Sequence, residues 1–204
     1  MVKVDDFELA NGVYVSRETH ESLELYAGIL KRWQTKINLV SPSSLSELWI
    51  RHFADSAQVL AFAPKAKTWV DFGTGAGFPG IVLALQLRSL GGAVHLVEIN
   101  AKKCAFLREV IRATGAPAFV HHCRIEDIVD DLEVEVVTAR ALTSIERLLK
   151  LSDPLLTKGA VGVFLRGKSL ANELTSPALS DRFLMECYPS KTESTGNIVV
   201  VRVR

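Results

Sequence analysis

The chain has 204 residues, of which 48% are hydrophobic, and this length suits one globular domain with an ample core but excludes two large domains. The formal net charge of +1 does not by itself indicate a polyanionic partner. The first residues lack the apolar core of a signal peptide and no run of about 18 uncharged apolar residues occurs, so we expect a soluble cytoplasmic protein with no membrane association.

The N-terminal part of the chain has helical periodicity. Apolar residues recur every three or four places over residues 17–40, which predicts an amphipathic helix. Pro42 breaks this helix, and Ser44 with Glu47 has the spacing of a capping box that opens a second helix over about 44–63. We therefore expect a helical extension over the first 63 residues.

Residues 64–204 alternate between apolar strands and helical segments, and we interpret them as one compact domain. The predicted strands are 68–72, 94–98, 118–121, 134–139, 160–165, 184–188 and 198–202. The predicted helices are 80–90, 101–114 and 144–151, the last introduced by Thr143 and Glu146 as a capping box. This alternation predicts an α/β fold with a mostly parallel sheet.

The last two predicted strands break the parallel pattern. Only the polar segment 189–197 joins them, and it is too short for a crossover helix, so they should pair antiparallel. A seven-stranded sheet that ends in such a hairpin is typical of the Rossmann-like class I adenosylmethionine-dependent methyltransferases. A six-stranded dinucleotide-binding fold would end in another parallel unit.

The first strand of this domain runs directly into a glycine turn, TWVDFGTGAGFPG at residues 68–80. Gly73, Gly75 and Gly77 leave the turn without side chains, so that a ligand could touch the backbone beside a helix N-terminus. This pattern predicts a site for a nucleoside-containing cofactor. Asp71, just before the glycines, could hold the ammonium of adenosylmethionine directly or through water, whereas it would repel a pyrophosphate.

A nicotinamide dinucleotide is the competing cofactor. Gly75, Gly77 and Gly80 also satisfy the G-x-G-x-x-G pattern, and Glu98 follows 18 residues later, close to the spacing of a ribose-binding acid. The acid before the glycines, the proline within the turn and the terminal hairpin favour adenosylmethionine. An NAD-dependent oxidoreductase remains the alternative at this point.

Other strand ends contribute to the same rim of the sheet. Glu98 could accept hydrogen bonds from both ribose hydroxyls of either cofactor. Ile125 could contact an adenine ring while the neighbouring Glu126 or the backbone meets its exocyclic amine. Arg140 ends the fourth strand, and because an unpaired arginine there is costly, it should meet a carboxylate of the ligand or of the protein.

The sequence offers little sign of a metal. Cys104, Cys123 and Cys187 lie far apart with no Cys-x-x-Cys pair, so we interpret them as free thiols. His121 and His122 precede Cys123, but neighbouring strand positions point to opposite faces and could hardly converge on one ion. We predict no metal site.

Several longer motifs carry a resemblance to a known family. They are Trp33 with Ile37, Asn38 and Leu39; RHFADS at 51–56; DFGTGAGFPG at 71–80; KKCAFLREV at 102–110; RIED at 124–127; TARAL at 138–142; and LRGK at 165–168. In these the chain resembles, along nearly all its length, the bacterial small-subunit ribosomal RNA methyltransferase G family, also called glucose-inhibited division protein B. Gln34, Cys123 and Arg166 depart from the family pattern.

The resemblance implies methyl transfer from S-adenosylmethionine to N7 of a guanine in 16S rRNA, near the decoding centre. The partner would be 16S rRNA, the small ribosomal subunit or its assembly intermediate, bound by a monomer. The family's cofactor contacts carry over to Gly73, Phe78, Ile125, Glu126 and Arg140. Arg140 would also position the reactants, since guanine N7 has a free lone pair and needs no general base.

Absent motifs agree with a ring-nitrogen target. The chain has no Asn/Asp-Pro-Pro-aromatic motif for an exocyclic amine and no Pro-Cys pair for carbon-5 methylation of a pyrimidine. A small-molecule methyltransferase and a noncatalytic RNA-binding protein would lack them too, so both alternatives stay open. The candidate substrate contacts are Asn38, Arg51, His52, Arg166 and Lys168. Arg51 and His52 could instead tie the helical extension to the sheet.

Overall fold

The computed structural model describes residues 6–167 and 181–204, and nine strands lie within them. In chain order these strands are β1 (Asp6–Ala10), β2 (Val13–Ser16), β3 (Thr68–Phe72), β4 (Ala93–Val97), β5 (Ala118–His121), β6 (Val136–Arg140), β7 (Val161–Arg166), β8 (Phe183–Pro189) and β9 (Asn197–Val203). β1 and β2 form a separate hairpin. The other seven form one sheet in the order β5-β4-β3-β6-β7-β9-β8.

The direction of the strands confirms the predicted fold class. β3 pairs parallel with β4 and with β6, and parallel pairing continues to β5 on one side and to β7 on the other. β9 is antiparallel to both β7 and β8, as the short connection between β8 and β9 requires. All seven predicted strands are confirmed, and none of their ends differs by more than two residues.

The N-terminal extension differs from its prediction. Helix α1 (Arg17–Gln34) ends six residues before the predicted end at Val40. The reason is the Gln34 side chain: its Oε1 accepts hydrogen bonds from the amides of Leu39 and Val40, and its Nε2 donates to the Val40 carbonyl. One side chain thus satisfies the backbone of the next loop in place of further helical turns.

The predicted second helix is also wrong in its start and its continuity. Ser41, rather than Ser44, caps α2 (Pro42–Leu45), so Pro42 begins a helix at the position where its missing N–H costs nothing. The chain then continues as a π-helical segment (Trp49–Ala54), the short α3 (Asp55–Ala57) and a 3-10 turn (Gln58–Phe62). This succession of tight and wide turns replaces one regular helix.

The β1–β2 hairpin has no counterpart in the predictions from sequence. Asn11 and Gly12 form a two-residue turn with φ angles of 49° and 74°, the conformation that joins short antiparallel strands. Val13 and Val15 alternate inward and are buried, which attaches the hairpin to the core. Because the strands have only five and four residues, their alternation is too brief to predict them alone.

The remaining helices flank the sheet. They are α4 (Gly80–Leu87), α5 (Ala101–Thr114) and α6 (Ile145–Thr157). Helix α5 has its predicted bounds and is capped by Asn100, which accepts hydrogen bonds from the amides of Lys102 and Lys103. Helix α6 is capped by Ser144 instead of the predicted Thr143–Glu146 box, and it continues through Pro154 beyond the predicted end.

Two buried clusters lie on opposite faces of the sheet. Trp69 and Val70 are neighbours on β3 and point to opposite clusters. The first cluster joins α1, α4 and α5 and includes residues from both predicted parts of the chain, 1–63 and 64–204. The second packs α6 against β6, β7 and β9. This arrangement leaves the carboxyl ends of β3, β4, β5 and β6 at one rim of the sheet.

In the described parts of the chain, every helix is too short or too polar to cross a membrane.

Candidate cofactor and substrate site

The glycine turn between β3 and α4 is held by backbone hydrogen bonds to the neighbouring strand end. The Thr74 amide donates to the Val97 carbonyl at 3.1 Å, and the Gly75 amide donates to Oε2 of Glu98 at 3.0 Å. At Gly73, which has a φ of 61°, an added Cβ would lie 2.4 Å from Cδ1 of Leu142. The backbone conformation therefore favours glycine there, and a larger residue would also have to displace the Leu142 side chain.

Glu98 organises the rim from the end of β4. Its Oε1 accepts a hydrogen bond from the Asn100 amide at 2.8 Å, while its Oε2 accepts from Gly75. The residue is only 7% exposed, so these two amides fix the carboxylate. Each carboxylate oxygen can accept a second hydrogen bond. Glu98 can therefore hold the turn and still accept hydrogen bonds from two hydroxyls of a ligand.

Asp71 lies behind the turn rather than at its surface. The side chain is fully buried, and its Oδ2 accepts a hydrogen bond from the Gly80 amide at the start of α4 at 2.9 Å. Burial raises the pKa of Asp71 to about 7, against the opposing effect of the Gly80 amide. The observed contact of this carboxyl is thus with the helix N-terminus, and its predicted role toward a ligand ammonium remains a prediction.

A cavity of about 570 Å³ opens at the rim, and we call it the main cavity. Of the predicted cofactor residues, Gly73, Glu98, Ile125, Glu126 and Arg140 line it. Asp71, Gly75, Gly77 and Phe78 are outside its lining. The structure therefore brings together one residue from each of the four adjacent strand ends and their loops, as parallel strands that end at one edge require.

The sequence predictions missed several residues that line the main cavity, among them Lys103, Leu142 and Arg147. Lys103 lies in the first turn of α5, directly after the loop that follows Glu98. Leu142 follows Arg140 in the β6–α6 connection, and Arg147 lies in the first turn of α6. Sequence reasoning could have found these residues from their short distance to a strand end at the rim. The loop after a parallel strand and the first turn of the next helix lie at the same edge of the sheet as that strand end.

Phe78 is part of a column of aromatic rings beneath the turn. Its ring stacks on His52, with centroids 4.7 Å apart, and on Tyr26, with centroids 5.4 Å apart. The Tyr26 hydroxyl donates a hydrogen bond to the carbonyl of Ala76, inside the glycine turn. The column joins α1 and the π-helical segment to the turn. It leaves Phe78 only 7% exposed, and its predicted contact with the cofactor remains a prediction.

Arg140 is held on three sides by the N-terminal extension. Its guanidinium lies 3.0 Å from Nδ1 of His52, 2.7 Å from the carbonyl oxygen of Arg51 and 3.6 Å from Oδ2 of Asp55. The prediction that Arg140 meets an acid of the protein or of the ligand is confirmed by Asp55. This arginine also lines the main cavity, so the extension fixes a cation in the wall of that cavity.

His52 is neutral in this arrangement. Burial, together with the positive charges of Arg140 and Arg51, lowers its pKa to about 3. A guanidinium only donates hydrogen bonds, so Nδ1 of His52 accepts from Arg140 and the imidazole proton is on Nε2. The imidazole therefore positions Arg140 and does not act as a base near neutral pH.

Asp55 links the same arginine to the β8–β9 turn. Its Oδ1 accepts hydrogen bonds from Nε2 of Gln58 at 2.9 Å, Oγ of Ser190 at 3.1 Å and Oγ1 of Thr192 at 2.8 Å. These partners come from parts of the chain more than 130 residues apart in sequence. The network fixes the β8–β9 turn beside Arg140.

The predicted substrate residues are distributed around this network. Arg51 forms ion pairs with Glu47 at 3.5 Å and with Glu193 at 3.4 Å, and Asn38 is exposed in the loop after α1. Arg166 donates a hydrogen bond to the carbonyl of Thr143 at the end of β7. Lys168 lies outside the described residues. The structure thus brings Arg51, His52 and Arg166 near Arg140 and leaves Asn38 on another loop.

The histidines near β5 have separate partners. Nε2 of His121 lies 2.8 Å from Nδ1 of His95, whereas Nε2 of His122 lies 3.1 Å from the carbonyl oxygen of Ile99. Within residues 6–167 and 181–204, no three histidine, cysteine or acidic side chains are grouped so that they could hold a metal. The three cysteines are free thiols, as predicted.

Comparison with solved structures identifies the fold. The fold is similar to that of MtNAS, solved as a single-residue variant with S-adenosylmethionine, at a TM-score of 0.60 and 17% identity, covering 91% of this chain and 76% of that one. It is similar to the O-methyltransferase TomG from Streptomyces achromogenes, also solved with the cofactor, at a TM-score of 0.60 and 16% identity over 90% of both chains. The fold is that of a class I S-adenosylmethionine-dependent methyltransferase.

Sequence comparison then identifies the family. Residues 19–190 match the family model described as rRNA small subunit methyltransferase G. The chain is 49% identical over 189 residues to a protein of Methylorubrum populi named ribosomal RNA small subunit methyltransferase G, covering 92% of this chain and 90% of that protein. A protein of the same name from a Bradyrhizobium species is 49% identical over 190 residues, which is 92% of this chain and 86% of that protein. The chain belongs to the rRNA small subunit methyltransferase G family, and its cofactor is S-adenosylmethionine.

Proposed function

We propose that this methyltransferase transfers the methyl group of S-adenosylmethionine to N7 of a guanine in 16S rRNA, near the decoding centre. Family membership supports the rRNA substrate. The observation that carries the choice of atom is the state of His52, the imidazole that contacts Arg140: its Nδ1 accepts a hydrogen bond from that arginine, so it is not free to remove a proton near neutral pH. Guanine N7 has an in-plane lone pair and no proton, so its methylation requires none to be removed.

The ionisation of the nearby groups supports this choice. His52 has a pKa of about 3 and its Nδ1 already accepts a hydrogen bond from Arg140. Asp71 has a pKa of about 7, but its side chain is fully buried against the Gly80 amide. Arg140 is a cation and can only donate. This set can orient a substrate, and orientation alone contributes roughly 7–11 kcal/mol in favourable cases.

The main cavity fits the cofactor in size and in chemistry. Its volume of about 570 Å³ lies within the range of small-molecule sites, roughly 300–1,000 Å³. We propose that Glu98 accepts hydrogen bonds from the ribose hydroxyls, that Ile125 and Glu126 contact the adenine, and that Arg140 faces the methionine end. Gly73, Gly75 and Gly77 give the backbone its approach, with Asp71 and Phe78 supporting the turn from below. When bound, S-adenosylmethionine supplies an electrophilic methyl group, and the side chains of this chain align the acceptor with it.

The substrate in this proposal is 16S rRNA within the small ribosomal subunit or its assembly intermediate, and the protein acts in the cytoplasm, where ribosomes are assembled. We propose that it acts as a monomer. The target base must leave its stack to reach a cavity at the sheet rim, so an unpaired loop nucleotide is the expected substrate.

Labelled methyl transfer tests this proposal. Small subunits from a strain that lacks the gene would be incubated with the purified protein and S-adenosylmethionine labelled in its methyl group. We expect label at one guanosine. Mild reduction followed by aniline should cleave the RNA chain at that position, because 7-methylguanosine is sensitive to this treatment. RNA with 7-deazaguanosine at that position should accept no label. Label on a ribose or an exocyclic amine, or none in RNA, would contradict the proposal.

A further inference from the structure

A second, smaller cavity of about 150 Å³ lies beside the main cavity, and we call it the small cavity. Arg140 and Ala141 line both cavities, so these two residues form the wall between them. Ala141 has a φ of 48°, a conformation that residues other than glycine rarely adopt. The wall is thus a tight turn with a small side chain, next to the cation that faces the methionine end in the proposed function.

The polar groups of the small cavity come from several separate elements. Asp55 belongs to the extension, Arg140 and Arg166 end β6 and β7, and Ser190 and Glu193 belong to the β8–β9 turn. Leu165, Gly167, Gly196 and Asn197 complete the lining. The network of Asp55 fixes these elements relative to each other. A cavity with both cations and acids at set positions can recognise a ligand that has acceptors on one edge and donors on the next.

The two acids of this cavity differ in how many of their carboxylate oxygens already have hydrogen-bond partners. Oδ1 of Asp55 already accepts three hydrogen bonds and its Oδ2 pairs with Arg140. Glu193 pairs with Arg51 through Oε1 at 3.4 Å, and no described residue hydrogen-bonds its Oε2. Its side chain is 39% exposed, at the mouth of the cavity. Glu193 is therefore the carboxylate that is available to a ligand.

We propose that the small cavity holds the guanine that is methylated, with Glu193 as the residue that selects guanine. This inference rests on the proposed function. Around the guanine ring, N7 and O6 are acceptors, whereas N1–H and the N2 amine are donors on the adjoining edge. With N7 at the shared wall and toward the methyl donor, O6 lies near the Arg140 guanidinium, and the two donors face Glu193.

The same arrangement disfavours adenine. Adenine presents a lone pair at N1 and an amine in place of O6, so the Glu193 carboxylate would face an acceptor and the Arg140 guanidinium would face a donor. A buried polar group without its partner costs more than a missing favourable contact. Glu193 and Arg140 together thus distinguish the purines, although N7 is present in both.

Glu193→Gln tests the inference because it replaces one carboxylate oxygen by a donor with little change in shape. Two controls are available. Glu186→Gln removes a carboxylate of similar exposure on β8 that pairs with Arg202, and Glu47→Gln removes the other acid that pairs with Arg51. The substrates are small subunits reconstituted with guanosine or with inosine at the target position, since inosine lacks only the N2 amine.

For Glu193→Gln we expect kcat/KM on guanosine to fall by about 10- to 100-fold, the loss that one hydrogen bond to a charged group predicts. Wild type should lose a similar factor when inosine replaces guanosine, and Glu193→Gln should lose little more. Both controls should keep wild-type kcat/KM, and all variants should keep the wild-type Kd for S-adenosylmethionine. Equal kcat/KM for Glu193→Gln and wild type on guanosine, or an unchanged preference for guanosine over inosine, would overturn the inference alone. If wild type methylates no guanine N7, both the inference and the proposed function fail.

Discussion

Glu98→Gln separates the two roles of the carboxylate at the end of β4. The glutamine has the size of the glutamate, but one of its two terminal atoms is a donor. In the structure both oxygens of Glu98 accept from backbone amides, at 3.0 Å from Gly75 and at 2.8 Å from Asn100. The substitution therefore places a donor against one of these amides, whichever way the glutamine is turned.

The magnitude follows from those two contacts. A hydrogen bond to a charged group contributes about 1.5–3 kcal/mol, so we expect a loss of about 2 kcal/mol in the free energy of unfolding. For a chain of this size that corresponds to a fall in Tm of about 4–8 °C. If Glu98 also binds the ribose, the Kd for S-adenosylmethionine should rise by about 10- to 100-fold, for the loss of one further charged hydrogen bond.

Thermal melting and calorimetric titration with S-adenosylmethionine measure the two effects separately. Glu109→Gln is the matched control. Glu109 lies on α5, outside the main cavity, and like Glu98 it holds the fold through its carboxylate: it accepts a hydrogen bond from Nε1 of Trp33 at 2.8 Å and pairs with Arg32. We expect it to lower Tm with no change in Kd. A wild-type Kd for Glu98→Gln at a temperature where the variant is folded would refute the ribose role and leave Glu98 with the turn alone.

Three further substitutions, one of them with a matched control variant, test the turn and its surroundings. Burial raises the pKa of Asp71 from 3.8 in the unfolded chain to about 7, so the folded protein holds an extra proton between these values and loses stability as the pH rises toward 7. Asp71→Asn should flatten this decline, and urea unfolding of both proteins from pH 5 to pH 8 checks it; parallel curves would contradict the buried, protonated state. Gly80→Ala would place a Cβ 2.3 Å from Cδ2 of Leu96 and 2.7 Å from Oδ2 of Asp71, so it should cost about 1–3 kcal/mol in urea unfolding. Gly28→Ala, with no atom within 4 Å of the new Cβ, should gain up to about 1 kcal/mol, and equal stability of the two variants would be inconsistent with the packing at Gly80. Arg140→Ala should lower methyl transfer about tenfold or more, since it removes a charged donor at the wall between the two cavities. Full activity per folded molecule, with only a lower Tm, would assign Arg140 to structure.

The sequence by itself determined the features that depend on short stretches of chain. The alternation of apolar strands and helices predicted all seven strands of the main sheet, and the short segment after β8 predicted the antiparallel end. The glycine turn is also local, because it depends on a few consecutive residues. The family motifs predicted four residues that the structure places around the main cavity, Gly73, Ile125, Glu126 and Arg140, and the position of Glu98 at a strand end predicted a fifth.

Only the tertiary structure decided which side chains are occupied and which are free. The spacing of Asp71 to the glycines is the same whether its carboxyl faces a ligand or the Gly80 amide. In the structure the side chain is buried and faces the Gly80 amide. The network that joins Asp55 to Ser190 and Arg140 spans most of the chain, so no local pattern predicts it. The small cavity exists because the β8–β9 turn folds back beside β6. Strand order in the sheet creates that contact, and strand order is set by packing between distant segments rather than by the residues of any one of them.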